Sequence, residues 1–475
     1  MPERLGVRHA STVRALSRPW LIVAAIGLTL TLQLSDGFYD RPTLVWLGLS
    51  LVAALLGLTG VRWPWPARPE REQAVTQWLL VAGVLVSAVA LVSRPLARYM
   101  DDARPWAHPE VLVAVAVASV AAISVRPSHG VAAWRSAATV LVAFGIWLGA
   151  WTVRESPTPH IDVIPVHAAA FSSLSRGESP YAVTFKDIYT ADEAFYAEGM
   201  RDGRRVLFGF PYPPLSLLLA WPGYALLGDL RYSEVLALAI AAALIMWMGD
   251  GVGLLCAATL LLAPRLVFHL EQGWTEPFPI LLLALTVATA LRRPAWAWLP
   301  LGLLVASKQH MVLALLFAPM LMAARASQRP DWGQIARFIL KAVAVAAVVT
   351  LPLALIDVDA FVRSAVLLQL REPFRLDSLS FSRELLLRGV PLDKEGALTV
   401  SLTAGLAGIG LSWWRAPRTP AGFAAALGLT CFLITAFGKK AFLNYYFLVF
   451  AFLLVAVAAS RPTATATSQP PRGAG

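Results

Sequence analysis

Two acids and a group of lysines stand where apolar runs end. Asp162, in HIDVIPVHAAAF, follows a run that closes near Val153, and Glu276, in LEQGWTEPF four residues after Gln272, comes just before another. Lys308, Gln309 and His310 form SKQH between two apolar stretches; Lys439 and Lys440 form FGKKAF, with Asn444 and Tyr445 just beyond. A carboxylate at a membrane boundary can take a proton from an acceptor hydroxyl, and a lysine or arginine there can offset charge on a departing phosphate. Acids and cations along one membrane edge suit a reaction on a lipid-linked phosphate whose tail stays among the helices.

Each residue also has an ordinary role open to it. Asp162 fits the N-cap of a following helix, and Glu276 complements the positive end of a helix dipole. Lys308 lies between LLVAS and MVLALL, where a charge is expensive and usually functional, although its stem can reach the interface. Lys439 and Lys440 serve equally as interface anchors. Arg371, Arg375 and Arg383, with Glu372 and Asp377 among them, read either as phosphate ligands or as the solvated face of a surface helix. The spacing of His160, Asp162 and His167 matches no familiar zinc pattern. No cofactor is required, and a divalent ion near Asp162 and Glu276 is compatible with the sequence.

The frame that must position these residues is apolar. Of 475 residues 57% are hydrophobic and 15% charged, with mean hydropathy +0.63, which describes an all-α polytopic membrane protein. The net charge of +11 comes from arginines clustered between apolar runs, as the positive-inside bias requires, so nucleic acid is not an expected partner. The seventeen tryptophans gather near span ends as an aromatic belt. Cys256 and Cys431 are far apart in apolar segments and indicate no disulfide framework. Arg4, Arg8, Arg14 and Arg18 precede the first span without an A-x-A cleavage site, which predicts a retained signal anchor.

Spans are expected near 20–35, 43–60, 77–93, 109–125 and 136–153, then 232–248, 252–268, 277–291, 296–307, 311–324, 336–356, 397–414, 420–437 and 441–460. Between them YPPLSLLLAWPGYALLG has an apolar part, Leu215 to Leu227, that rises only about 20 Å as a helix, short of a core roughly 30 Å thick. It reads as an interfacial helix that returns to the side it came from. This makes about 14 transmembrane helices with both termini inside. The segment from 154 to Phe210 is too long for a plain connector, and its aromatics Phe171, Tyr181, Phe185, Tyr189, Phe195 and Tyr196 predict an ordered structure on the membrane surface. Charge counting alone leaves the orientation near a tie, because the 357–396 loop carries six Lys or Arg of its own. Pairs of crossings separate LEQGWTEP, SKQH, the 357–396 loop and FGKKAF, so these four share one face, and the interfacial helix decides whether Asp162 joins them.

The succession DVIPVHAAAFSSLSRGESPYAVT, YPPLSLLLAWPGYALLG and LEQGWTEPF resembles the polyprenol-phosphate-sugar-dependent glycosyltransferases of the GT-C superfamily, especially their mannosyltransferase branch. The resemblance covers residues 136–460, a GT-C-like catalytic membrane domain whose first extracytoplasmic loop, with its juxtamembrane helix, is 154–231 and whose second is 357–396. Residues 1–135 form an N-terminal extension of four helices, and 461–475 a disordered cytoplasmic tail. The resemblance implies a cytoplasmic-membrane enzyme of cell-envelope biosynthesis with its site on the extracytoplasmic side. Such an enzyme moves a sugar, mannose first, from a polyprenyl phosphate to a lipid, glycan or protein acceptor. Asp162 holds the place of the family's proposed base, and Glu276 that of an acid in a second outer loop. Gly177, Pro180 and Tyr181 match G-x-x-P-Y, and Tyr212, Pro213 and Pro214 match the Y-P-P-L entry to the juxtamembrane helix. The resemblance further implies that Lys308, Arg375 with Asp377, and Lys440 with Asn444 and Tyr445 face the lipid-phosphate cavity. His167 departs from the pattern, standing where many relatives carry an aromatic, and the four extra spans lie outside the common core. Two rivals are a carrier or flippase of a lipid-linked glycan, which would favour an internal repeat and midplane charges, and a ligase using a diphosphate-linked oligosaccharide.

Overall fold

The computed structural model describes residues 15–64, 69–125, 129–189, 195–196, 199–322 and 331–460. The predicted tail, with Arg461 and Arg472, lies outside them, as do Arg4, Arg8, Arg14, Arg325 and Arg329. The chain is about 73% helical, which makes it an all-α membrane protein. Helices α1 Arg18–Ser35, α2 Arg41–Thr59, α3 Pro69–Leu91, α4 Pro109–Ser124 and α5 Gly130–Glu155 come first. α6 Val163–Ser175 and α7 Pro214–Leu227 precede α8 Arg231–Leu261, α9 Leu266–Glu271, α10 Pro277–Arg292 and α11 Trp298–Ser307. A 3-10 helix, Gln309–Met320, leads to α12 Trp332–Ala354 and the short α13 Val358–Phe361. A short π-helix, Val362–Leu367, joins α13 to α14 Leu368–Arg371; α15 Phe381–Leu387, α16 Lys394–Arg415, α17 Pro420–Ala436 and α18 Leu443–Ala459 follow.

Among the described residues, seven stretches are long and apolar enough to cross a membrane: Arg18–Ser35, Arg41–Thr59, Glu70–Leu91, Gly130–Glu155, Arg231–Gly249, Trp332–Ala354 and Lys394–Arg415. Two helices begin earlier than hydropathy suggests, α3 at 69 instead of 77 and α5 at 130 instead of 136. The first turn of α3 carries Glu70 and Glu72 and the second turn of α5 carries Arg135, and a charged turn outside the hydrocarbon is still helical. Many starts have local causes: the side chains of Asp40, Asp331, Ser380, Asp393 and Thr419 each accept the N–H three residues on, the usual N-cap bond.

The backbone of α8 is helical throughout, but it is not straight. A Cβ built on Gly253 would lie 2.5 Å from the carbonyl oxygen of Ile245, a residue that a straight helix would put roughly 12 Å away. The run therefore folds back through Gly249-Asp250-Gly251; its first arm occupies the expected 232–248 segment, whereas the second covers only the first part of 252–268, ending at Leu261 before a turn and α9. α5 seats both arms: a Cβ on Gly149 would meet Val235 at 2.4 Å and one on Gly145 would meet Leu261 at 2.9 Å. In lipid the hydrophobic effect gives helices no reason to associate, and such small-residue contacts let backbones approach closely enough for dispersion to hold them.

One apolar core runs from Leu21 in α1 to Ala459 in α18, so residues 18–124 are built into the bundle and are not an appendage. The α1–α2 turn is threaded into the later chain. Leu379 N–H donates to the Gly37 carbonyl (3.0 Å) and Tyr39 N–H to the Asp377 carbonyl (2.8 Å). The Tyr39 hydroxyl donates to Glu384, and Asp36 pairs with Arg265 at 2.6 Å. Gly37, at φ +81°, leaves no room for a Cβ, which would lie 2.3 Å from the Leu443 nitrogen.

A second, smaller core holds the 163–213 segment together: Phe171, Tyr181, Phe185, Val206, Phe208 and Phe210 pack with Leu217, Ala360, Ala365 and Leu368. It includes a departure from pure helix, a small sheet of two-residue strands, β1 Phe185–Lys186, β2 Arg201–Asp202 and β3 Arg205–Val206, antiparallel in the order β1-β3-β2.

Candidate functional site

Asp162 occupies the residue before α6, yet its side chain makes no capping bond. Its carboxylate instead accepts the Tyr196 hydroxyl at 2.7 Å, and its N–H donates to the Tyr189 hydroxyl at 3.2 Å. Proline at 165 is harmless in the first turn of α6, where no intrahelical N–H is needed. Burial raises the Asp162 carboxyl above its ordinary value, and the Tyr196 bond and the charge of Lys440 pull it partly back. Burial and the charge of Asp162 raise the Tyr196 hydroxyl, so it stays a donor. His160, exposed, sets its ring edge-on to Tyr189 and Tyr99.

Glu276 lies at the start of α10 and also makes no capping bond. It is completely buried, and one carboxylate oxygen accepts both Lys308 and the Asn444 amide, the latter at 2.7 Å. Lys308, just past the end of α11, also reaches the Thr275 hydroxyl at 3.4 Å. Its ammonium sits between two rings, 5.5 Å from the centroid of Tyr212 and 5.6 Å from that of Tyr445. The sequence pointed to snorkelling or function; the ammonium here turns inward to a counterion.

A third group adjoins these. Lys440 pairs with Glu372 at 2.6 Å. Lys439 donates to the carbonyls of Leu370 (2.9 Å) and Glu372 (2.7 Å), tying the 438–442 turn to the end of α14. Arg375 pairs with Asp377 at 2.7 Å and stacks its guanidinium on Phe195 and Phe442. A cleft of about 160 Å³ opens here, lined by the polar His310, Glu372, Lys439, Lys440 and Tyr445 and by Leu398, Cys431 and Ile434.

These contacts place LEQGWTEP, SKQH, the 357–396 segment and FGKKAF at one end of the bundle, as the crossing parity predicts. Asp162 belongs to the same end. Gln309 donates to the Pro211 and Ala365 carbonyls (2.6 and 3.0 Å), and the Ser364 hydroxyl donates to the Tyr181 carbonyl while accepting Gly209 N–H. The two long segments are therefore stitched together, and both ends of α7 lie there: Tyr212 beside Lys308, and Arg231 on the Ser156 carbonyl at 2.9 Å.

Several expected site residues lie elsewhere. Tyr181 is inside the second core, its hydroxyl on the Tyr212 carbonyl at 3.1 Å, so G-x-x-P-Y shapes the loop and presents no side chain to a ligand. His167 is buried among Phe171, Phe210 and Tyr212, with Nδ1 on the Val163 carbonyl, and burial pulls its imidazole down to about 4. Gln272 turns to the neighbouring Glu271 at 3.2 Å and away from Glu276. Arg371 is exposed at the end of α14. Among the described residues no group of three or more His, Cys, Asp or Glu is placed to hold a metal ion.

Three buried groups escaped sequence reasoning. Glu271 accepts the N–H groups of Arg98 and Tyr99 and the Ser156 hydroxyl at 2.7 to 2.8 Å, pinning the α3–α4 connection to α9. His269 is completely buried, with Nε2 3.9 Å from Glu276. Glu234, in the first turn of α8, is completely buried as well. An acid inside an apolar run is itself a signal, and Glu234 carried it.

Comparison of the chain with protein-family models, with characterised proteins and with solved structures finds no match.

Proposed function

We propose that this chain is a GT-C-like membrane glycosyltransferase, moving one sugar, mannose first, from a polyprenyl monophosphate to a lipid, glycan or protein acceptor. The observation that carries the reading is Asp162: a carboxylate at a helix start that does not cap the helix. It is held by a tyrosine hydroxyl and raised by burial toward the range useful to a general base. It stands at the end of the bundle where Lys308, Lys440 and Arg375 gather.

In this mechanism Asp162 takes the acceptor hydroxyl's proton as that oxygen bonds to the anomeric carbon from the face opposite the phosphate. The bond from carbon to the phosphate oxygen breaks, its electron pair leaves with the polyprenyl phosphate, and the anomeric centre inverts. Lys308, Lys440 and Arg375 each carry an acidic partner, so any of them serves the leaving group only by sharing or exchanging that partner. Glu276 then acts on the reaction through Lys308, and the tyrosines at 212 and 445 wall the place where phosphate would lie. The fourteen crossings, the cytoplasmic termini and the extracytoplasmic site belong to this proposal, with the fold-back of α8 supporting the crossing number.

The test is transfer of radiolabelled mannose from synthetic polyprenyl phosphomannose to membrane lipid extract by purified protein, with Asp162→Asn as control. Label in a new product with wild type alone is expected. Near-normal turnover by folded Asp162→Asn overturns the assignment of the base. A second reading, a carrier of a lipid-linked glycan, draws on Glu234 and His269, since ionisable residues buried in spans are a mark of proton-coupled transport. Flipping of a fluorescent lipid-linked sugar in proteoliposomes, without any transfer, would favour it.

A further inference from the structure

Glu276, His269 and Lys308 form a buried set that is only half satisfied. One oxygen of Glu276 takes both Lys308 and Asn444, whereas the other has no hydrogen-bond partner. The His269 Nε2 lies 3.9 Å from Glu276, and neither ring nitrogen makes a hydrogen bond. Buried polar groups are rarely left in this state, because each loses its water without gaining a partner. The His269 ring lies against Phe447 and Trp274, with its Nε2 toward the Glu276 carboxylate.

Lys308 stands at the edge of this set, next to Tyr445, which lines the open cleft with His310, Glu372 and Lys440. An anion in that cleft draws Lys308 outward, and Glu276 would then be a buried carboxylate without a cation, a costly state. Resting on the phosphate reading above, we propose that His269 is an exchange partner: as an isoprenoid phosphate engages Lys308, His269 takes one proton from solvent and pairs with Glu276. The only covalent change is the new N–H bond on His269; Glu276 exchanges one cationic partner for another, and the charge gained is the proton taken up. The other ionisable groups facing it are Glu234 and Arg231 of α8, Asp229 on Arg231, Tyr212, Tyr445 and His310.

The experiment is calorimetric titration of the full chain in detergent micelles with farnesyl phosphate, in two buffers of different ionisation heat. It is run at about pH 7.5 to 8.5, where a phosphate monoester with second pKa near 6 is already a dianion. Wild type is expected to take up close to one proton per bound ligand, with Kd rising up to tenfold per pH unit. His269→Gln and His269→Phe should bind with no uptake and a flat Kd. Binding by wild type without uptake, or uptake that persists in either variant, overturns the exchange while leaving the phosphate reading intact. Absence of binding by wild type overturns the phosphate reading and the exchange with it. Should neither variant fold, nuclear magnetic resonance of isotope-labelled histidine in wild type decides: an imidazole that becomes imidazolium on adding the probe is expected, and unchanged imidazoles refute it.

Discussion

Replacing Glu276 by glutamine should expose how much the buried ion pair matters to the fold. Glu276 is completely buried and Lys308 nearly so, and the glutamine would leave the ammonium without a counter-charge, with only a neutral amide oxygen, Thr275 and two ring faces around it. Breaking a buried pair by removing one partner typically costs about 3–5 kcal/mol. Lys308→Met should cost less, because the stranded carboxylate keeps Asn444 at 2.7 Å and can accept a proton. The double variant, Glu276→Gln with Lys308→Met, removes both charges, and such replacements run from neutral to mildly stabilising. The coupling energy is therefore expected to exceed about 2 kcal/mol, well outside the roughly 0.5 kcal/mol scatter of independent sites. Equilibrium unfolding in mixed micelles of rising sodium dodecyl sulfate, followed by tryptophan fluorescence, measures it. Losses that simply add in the double variant would refute the reasoning, since an unpaired buried cation could not then be the source of the cost.

Tyr196→Phe removes a hydrogen bond that favours the ionised Asp162. A bond worth about 1 kcal/mol corresponds to a bit under one pKa unit, so the acidic limb of the pH–rate profile should move up by that amount; an unmoved limb assigns the base elsewhere. Asp162→Asn should stabilise the protein. Burial raises this carboxyl in the folded state, so the folded chain holds the proton more tightly, and stability present below the unfolded value is lost as pH rises through the folded one. The variant should melt above wild type at neutral pH, with the gap closing in acid, and equal melting temperatures at neutral pH would count against a desolvated carboxylate. Gly37→Ala combines a left-handed φ of +81° with a Cβ 2.3 Å from backbone and should sharply reduce the yield of folded protein. Gly203→Ala, at φ +56° in open space, should cost only about 1–2 kcal/mol; comparable yields for the two would contradict the threading of the α1–α2 turn.

Hydropathy located the helices because lipid admits so few backbone solutions: an apolar run that must satisfy its own amides is a helix. It was least informative where polarity and helix part company, as at the charged first turn of α3 and the Arg135 turn of α5. The 3-10 geometry of Gln309–Met320 has no such signature, since its residues are as apolar as any α-helical span. The reversal inside α8 was legible through Gly249-Asp250-Gly251, a polar, flexible interruption of an apolar run. The small sheet was not, because two-residue strands carry no alternation to read; only the aromatics that pack beneath it marked the segment as ordered.

The site was legible to the level of which end of the bundle it occupies and no further, and the reason lies in what parity can encode. The apolar runs count as an even number of expected crossings between SKQH and FGKKAF, which would put both at one end whatever the packing, with Lys308 and Asn444 neighbours in depth. Which acid meets which cation depends on the lateral order of the helices. Glu276 takes Lys308, 32 residues on, and Asn444, 168 residues on, whereas Glu271, five residues earlier, faces the opposite way and holds Arg98, Tyr99 and Ser156. The short turn of α9 and the left-handed Gly273, at φ +62°, rotate the chain between the two acids. One acid thus becomes a fastener for the first four helices and the other the counterion of Lys308. The same turn brings His269 to the far side of Glu276, and only that placement makes a histidine in an otherwise apolar stretch a candidate to replace a lysine.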